Sequence, residues 1–159
     1  MAIRKVREEG DEILRKKSKE VEIIDDKIRD ILNDMVETLH KYNGVGLAGP
    51  QVGMLKRIIV IDLYEEGTQI YKLVNPRIVK TKGSVELEEG CLSFPDQYAK
   101  IIRPEEVEVE AQDENGKKVR IVGKGLLAQA LAHEIDHLDG ILFVDKIIPG
   151  TLEKVTPEE

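Results

Sequence analysis

The sequence predicts an α+β protein: mostly antiparallel strands packed around a central helix that carries the pattern H-E-x-x-H, with a long helix near the N-terminus. Three observations predict it. From Arg57 to Val122 the chain is a series of short β-branched or alternating runs. Two segments with helical periodicity bracket that series. Within it, Asp113-Glu114-Asn115-Gly116 is a hairpin turn signal between two alternating runs. Strands gathered between two helices indicate an antiparallel sheet with a helix packed on it.

Taken in order, Asp11 caps a short helix running to Lys17. Asp25 or Asp26 caps the first long helix, which reaches about Tyr42. Its apolar residues Ile28, Ile31, Leu32, Met35, Val36 and Leu39 form a one-sided helical stripe. Asn43-Gly44 ends it. His40 lies in the last turn, where a histidine interacts well with the helix dipole, and this gives it a structural role. The stretch from Gly44 to Gly53 has four glycines and a proline and excludes a regular element. Its composition suits a connecting loop or a backbone that approaches a ligand closely. Strands are predicted at Arg57 to Leu63, Ile70 to Val74, Arg77 to Thr81, Ser84 to Leu87, Glu105 to Ala111 and Lys117 to Val122. The second helix, Gly125 to Leu138, stops at Gly140, and a short strand follows from Ile141 to Val144. Residues 1–146 are expected to form a single domain, with 147–159 a short, charged and loosely held tail.

Bulk properties exclude several classes. With 24 basic and 31 acidic residues the net charge is −7, and there is no Trp and no basic stripe. Direct nucleic-acid binding is therefore not expected. No apolar run is long enough to span a bilayer, and residues Met1 to Gly10 lack a signal-peptide core. The expectation is a cytoplasmic protein without membrane attachment. Cys91 is the single cysteine, so the fold is not a disulfide framework.

The chemistry starts at His133-Glu134-Ile135-Asp136-His137. Residues i and i+4 share one helix face, so His133 and His137 can direct two ring nitrogens at one point. That is half of a tetrahedral metal site. Glu134 falls beside it, where a general base for a water belongs. The third ligand must come from elsewhere, and Cys91 in Glu89-Gly90-Cys91-Leu92-Ser93 is the leading candidate. A thiolate and two imidazoles match a three-ligand catalytic site with an open fourth position. A small H-E-x-x-H zinc protease is the first alternative. Its three-histidine form needs a histidine where Phe143 stands. A non-catalytic protein with a structural metal is the second, and that would want a fourth protein ligand. On the second helix Leu126 and Ala130 share the face of His133. They suit an apolar side-chain pocket or plain core equally well.

Three motifs carry a family resemblance: G-V-G-L-A-G-P-Q (Gly44 to Gln51), E-G-C-L-S (Glu89 to Ser93) and H-E-I-D-H-L (His133 to Leu138). In this order and spacing the sequence resembles the bacterial peptide deformylases from the first helix to about Val144. The resemblance implies a hydrolase that removes the formyl group from the N-terminal formyl-methionine of new polypeptides and releases formate. It implies a metal held by Cys91, His133 and His137, with Glu134 as general acid/base. It also implies that the Gln51 amide and the Leu92 backbone N–H bind the substrate carbonyl oxygen. Ferrous iron is the ion expected in cells, and zinc, nickel or cobalt can replace it. Val45 is expected to complete the methionine pocket beside Leu126 and Ala130. Glu89 is expected either to contact substrate or to orient its loop. The backbone at Val45 and Gly46 is the expected clamp for an extended peptide, by strand addition. The expected partners are N-formyl-methionyl nascent chains, with transient proximity to the ribosome. The sequence departs from the family pattern at Gly49, where Ala is usual, and at Ala132, where Gln is usual. A C-terminal helix of longer members is expected to be absent or reduced.

Overall fold

The computed structural model describes residues 2–155. The strand that ties its layers together is β2, Ile58–Ile61, an uninterrupted apolar run buried on both faces as strands between two layers are. Ile58 and Val60 face one cluster, together with Leu32, Met35 and Leu39 of helix α1, Asp26–Lys41. Ile59 and Ile61 face the other, with Ala128, Leu131 and Ile135 of helix α2, Leu126–Leu138. One four-residue strand thus joins the two helices through opposite side-chain faces.

The sheet around it has the order β1-β2-β3-β6-β7, antiparallel throughout. Its other members are β1, Gly46–Ala48; β3, Tyr71–Lys82; β6, Glu106–Gln112; and β7, Lys118–Lys124. A second sheet pairs β4, Val85–Cys91, with β5, Phe94–Arg103, and with the two-residue β8, Glu153–Lys154. Phe94, Ile101 and Phe143 hold its inner face, and the rings of Phe94 and Phe143 meet edge to face at 5.3 Å.

Local chemistry explains the element ends. Asp25 caps α1 by accepting from the Ile28 N–H. The 113–116 turn closes as expected: one Asp113 carboxyl oxygen accepts from the N–H groups of Asn115 and Lys117, and Gly116 has φ 83°.

Several local expectations differ. The segment after Asp11 is a 3-10 turn, Glu12–Arg15, rather than a longer helix. Asn75-Pro76 does not separate two strands: β3 runs through it on a bulge, with Asn75 at φ 52°. The missing proline donor is tolerated there because the bulge carries it out of the ladder. Val21 N–H and C=O bond the Asn75 side chain. The Gly-rich stretch does hold regular structure, β1 followed by a 3-10 turn, Gly49–Val52. A Cβ on Gly49 would lie 2.6 Å from the Lys56 carbonyl oxygen, so this departure from Ala answers a close backbone approach. The strand expected at 141–144 is instead a 3-10 turn, Phe143–Asp145, closed by Asp145 on the Leu142 N–H. The segment expected to be loosely held is tied to β5. Ile147 bridges Ile101, Ile148 N–H donates to Lys100, and Val155 N–H donates to Asp96. Of that segment, residues 156–159 lie outside the described part.

Candidate active site

Three elements converge on one face of α2. The end of β4 and its two-residue turn deliver Glu89, Cys91 and Leu92, β1 delivers Val45 and Gly46 beside its first residue, and α2 delivers Leu126, Ala130, His133 and Glu134. All nine line one groove with a cavity of about 620 Å³, within the range of ligand pockets. His137 and Gln51 sit behind it, each 1% exposed.

The donor atoms offered by Cys91, His133 and His137 all lie within 4.8 Å of one another, with Cys91 Sγ 3.3 Å from His137 Nε2. The orientation of His133 follows from its neighbour. The Glu89 carboxylate can only accept, so His133 Nδ1 donates to it at 2.7 Å and leaves the Nε2 lone pair free. Buried His137 Nδ1 has no protein partner. Burial alone pushes His133 down, but Glu134, then Cys91 and Glu89, outweigh it and raise it, so the surroundings favour positive charge at Nε2, which a bound metal would supply there in place of a proton. Burial, and then that charge, hold His137 well below the usual imidazole range, leaving it neutral with a lone pair to offer. One thiol and two imidazoles converging in a cation-favouring cavity fit a divalent metal.

Glu89 is a hub rather than a surface acid. It is 5% exposed and receives Arg103 through a fork of 3.1 and 2.6 Å, His133, and Gln129 at 3.2 Å. Burial pushes its carboxyl up, yet the bonds from His133 and Arg103 outweigh this and hold it at about 2. Arg103 also reaches Asp136 on α2 at 2.8 Å, which in turn meets Lys146. Sequence reasoning missed Arg103, Asp136 and Gln129. Asp136 lay inside the quoted motif, but nothing marked Arg103, which reaches Glu89 only through the β4–β5 pairing. Replacing Arg103 with Met is expected to cost about 3–5 kcal/mol, because it strands a buried carboxylate. Urea unfolding measures this, and an unshifted midpoint would contradict it.

Glu134 is 4% exposed, and its Oε1 has no protein partner. Burial pushes its carboxyl up to about 7, against the opposing pull of His133. A Cβ on Gly46 would lie 2.5 Å from Glu134 Oε2, so only glycine lets β1 pass this close. Gln51 has a fixed amide orientation. The Ala48 N–H donates to its Oε1 at 2.9 Å, which turns Nε2 towards Ser93 Oγ at 3.0 Å and Cys91 Sγ at 3.5 Å. Ser93, two residues after Cys91 in the same motif, is the other residue sequence reasoning passed over. Among the described residues the Leu92 N–H donates to no protein acceptor.

The sequence model of the family described as polypeptide deformylase matches residues 3–152. The chain belongs to the polypeptide deformylase family. Peptide deformylase 2 of Clostridium acetobutylicum is 55% identical over 148 residues, which covers 92% of this chain and 97% of the relative. The peptide deformylase of Acetivibrio thermocellus is 55% identical over 148 residues, 93% of this chain and 85% of the relative. Among solved structures, a peptide deformylase from Legionella pneumophila superposes with a TM-score of 0.89 at 47% identity, over 93% of this chain and 88% of that one. The enzyme from Thermotoga maritima gives 0.89 at 37% identity, over 94% and 100%. The α+β fold with antiparallel sheets and two helices is that of these deformylases. This family member is a hydrolase that removes the formyl group from the N-terminal methionine of nascent peptides. The family implies a catalytic metal, and the Cys/His/His cluster is its candidate site. Among the described residues no helix is long and apolar enough to cross a membrane.

Proposed function

We propose that residues 1–146 act as one catalytic unit built around the H-E-x-x-H helix α2, with α1 backing the sheet and 147–159 an accessory tail. Cys91, His133 and His137 would hold one divalent metal. The observation that carries this reading is the convergence of one thiol and two imidazoles beside an unpartnered buried carboxylate. A metal there supplies Lewis-acid polarisation of a carbonyl and a water that ionises near neutral pH. The donor set suits ferrous iron in cells, with zinc, nickel or cobalt as replacements, because a thiolate with imidazoles accepts borderline and soft ions.

The chain's own residues divide the remaining work. Val45, Leu126 and Ala130 form the apolar wall for the methionine side chain. Leu126, 45% exposed, sits at its rim, and buried Ala130 lies deeper. β1 is the outer strand of its sheet, so the backbone at Val45 and Gly46 is open to an extended peptide. The Leu92 N–H and Gln51 Nε2 donate to the formyl oxygen as negative charge grows there. Glu134 takes a proton from the attacking water as that oxygen bonds to the formyl carbon. It then gives the proton to the amine as the carbon–nitrogen bond breaks. Formate and a free N-terminus leave. Glu89 holds His133 and the loop, with Arg103 and Gln129 fixing Glu89 in turn. We place this work in the cytoplasm, close to the ribosome where nascent chains emerge.

Formate release from a short formyl-methionyl peptide tests the reading, using protein stripped with a chelator and reloaded without oxygen with each of the four ions. Activity is expected to vanish on stripping, to return on loading, and to be most air-sensitive with iron. Undiminished turnover by the stripped protein would overturn it. Gln51→Ala is expected to lower kcat by about 10²–10³-fold, the usual effect of losing one oxyanion donor. Unchanged kcat would remove Gln51 from that role.

A further inference from the structure

The Gly44–Val45 peptide is gripped from outside the groove by a cluster to which nothing above gives a part in substrate binding. Tyr64 Oη donates to the Gly44 carbonyl at 2.8 Å. Tyr64 itself is 52% exposed and has φ 56°, a left-handed conformation unusual for a bulky residue. Asp62 holds it there. One carboxyl oxygen accepts from the Tyr64 N–H at 2.8 Å, and the other meets His40 Nε2 at 2.8 Å. The His40 and Tyr64 rings stand 5.8 Å apart. The Asp62 N–H also donates to the Val45 carbonyl at 2.8 Å.

The consequence lies in one peptide plane. The Gly44 C=O and the Val45 N–H belong to the same peptide unit, and no cis bond occurs among the described residues. In a trans unit the two groups point in opposite directions. Fixing the carbonyl towards Tyr64, which lies outside the groove lining, turns the N–H the other way. Gly44 and Val45 both line the groove. Val45 is a bend, so its N–H need not follow its own C=O towards β2. Among the described residues that N–H donates to no protein acceptor. A hydrogen bond to the carbonyl also polarises the N–H of the same unit and strengthens it as a donor.

We propose that Tyr64, held by Asp62 and His40, is a positioning residue that aims the Val45 N–H at the first backbone carbonyl of the substrate after the formyl-methionine α-carbon. This rests on the reading of Val45 and Gly46 as the peptide clamp. It assigns the grip on peptide substrates, as opposed to formylated amines in general, partly to a surface tyrosine that never touches substrate.

The test compares two substrates in wild type and Tyr64→Phe. One is a formyl-methionyl peptide. The other is N-formyl-3-(methylthio)propylamine, which keeps the formyl group and the thioether chain but has no carbonyl to receive the Val45 N–H. For the peptide, Tyr64→Phe is expected to raise KM about three- to tenfold, the value of one neutral hydrogen bond, with kcat little changed. For the amine its kcat/KM should equal that of wild type. Asp62→Asn should raise the peptide KM in the same sense, and Tyr64→Phe added to it should add less than the two separate effects summed. Equal effects on both substrates would mean a general structural role, and no effect on the peptide would mean no role; either result overturns the proposal. If wild type itself does not prefer the peptide, the clamp reading fails, and the proposal with it.

Discussion

Glu134→Gln is expected to lower formate release by about 10²–10⁴-fold, the usual range for a general acid–base group, and to leave bound metal at the wild-type level. The argument is geometric. Glu134 follows His133 on α2, its Oε1 is buried without a protein partner, and β1 passes it at a glycine. On the proposed reading this atom takes and returns a proton within the groove. Gln preserves the shape and the packing against Gly46 but cannot carry that proton. The effect should fall on kcat, with KM for the peptide nearly constant, because the methionine wall and the backbone clamp are untouched. Turnover within a few-fold of wild type would locate the proton carrier elsewhere.

Cys91→Ala should lose both metal and turnover. Partners that merely orient a ligand typically cost about 10–100-fold in metal affinity when removed, so loss of a direct ligand should exceed that. Two imidazoles would remain, half of a tetrahedral set. The substitution is small and at a strand end, where Cys91 is only partly buried, so the fold should survive. Metal content after gel filtration, read beside the far-ultraviolet spectrum, separates a lost ligand from a lost fold. Retention of a full metal complement would show that the thiolate is not a ligand.

What the sequence revealed depended on how local the physics was. The α1 stripe from Ile28 to Leu39 and its Asp25 cap were readable because helix periodicity and capping act within a few residues. The pairing of His133 with His137 was readable for the same reason. Cys91 stood out as the single cysteine beside an incomplete ligand pair, whereas Val45, Gln51, Glu89 and Leu92 entered through recognised motifs that periodicity alone would not have found. The grip of Arg103 on Glu89 was hidden because it depends on strand register, which pairs Glu89 with Ala99 and Val85 with Arg103. β3 was read as two strands because Pro76 normally stops a ladder, and only the bulge at Asn75 reconciles them. His40 was assigned to the helix dipole, whereas it also meets Asp62 across the end of β2. That partner lies 22 residues away and carries no local signal.

The most direct measurement is a titration of metal-stripped wild-type protein with ferrous iron without oxygen, following formate release from a formyl-methionyl peptide. The account predicts that turnover climbs from zero and breaks sharply at one ion per chain, while Glu134→Gln takes up the same single ion and stays silent. Turnover before any iron is added, or a rise that does not break at one ion, would contradict the single Cys91, His133, His137 centre on which the mechanism rests.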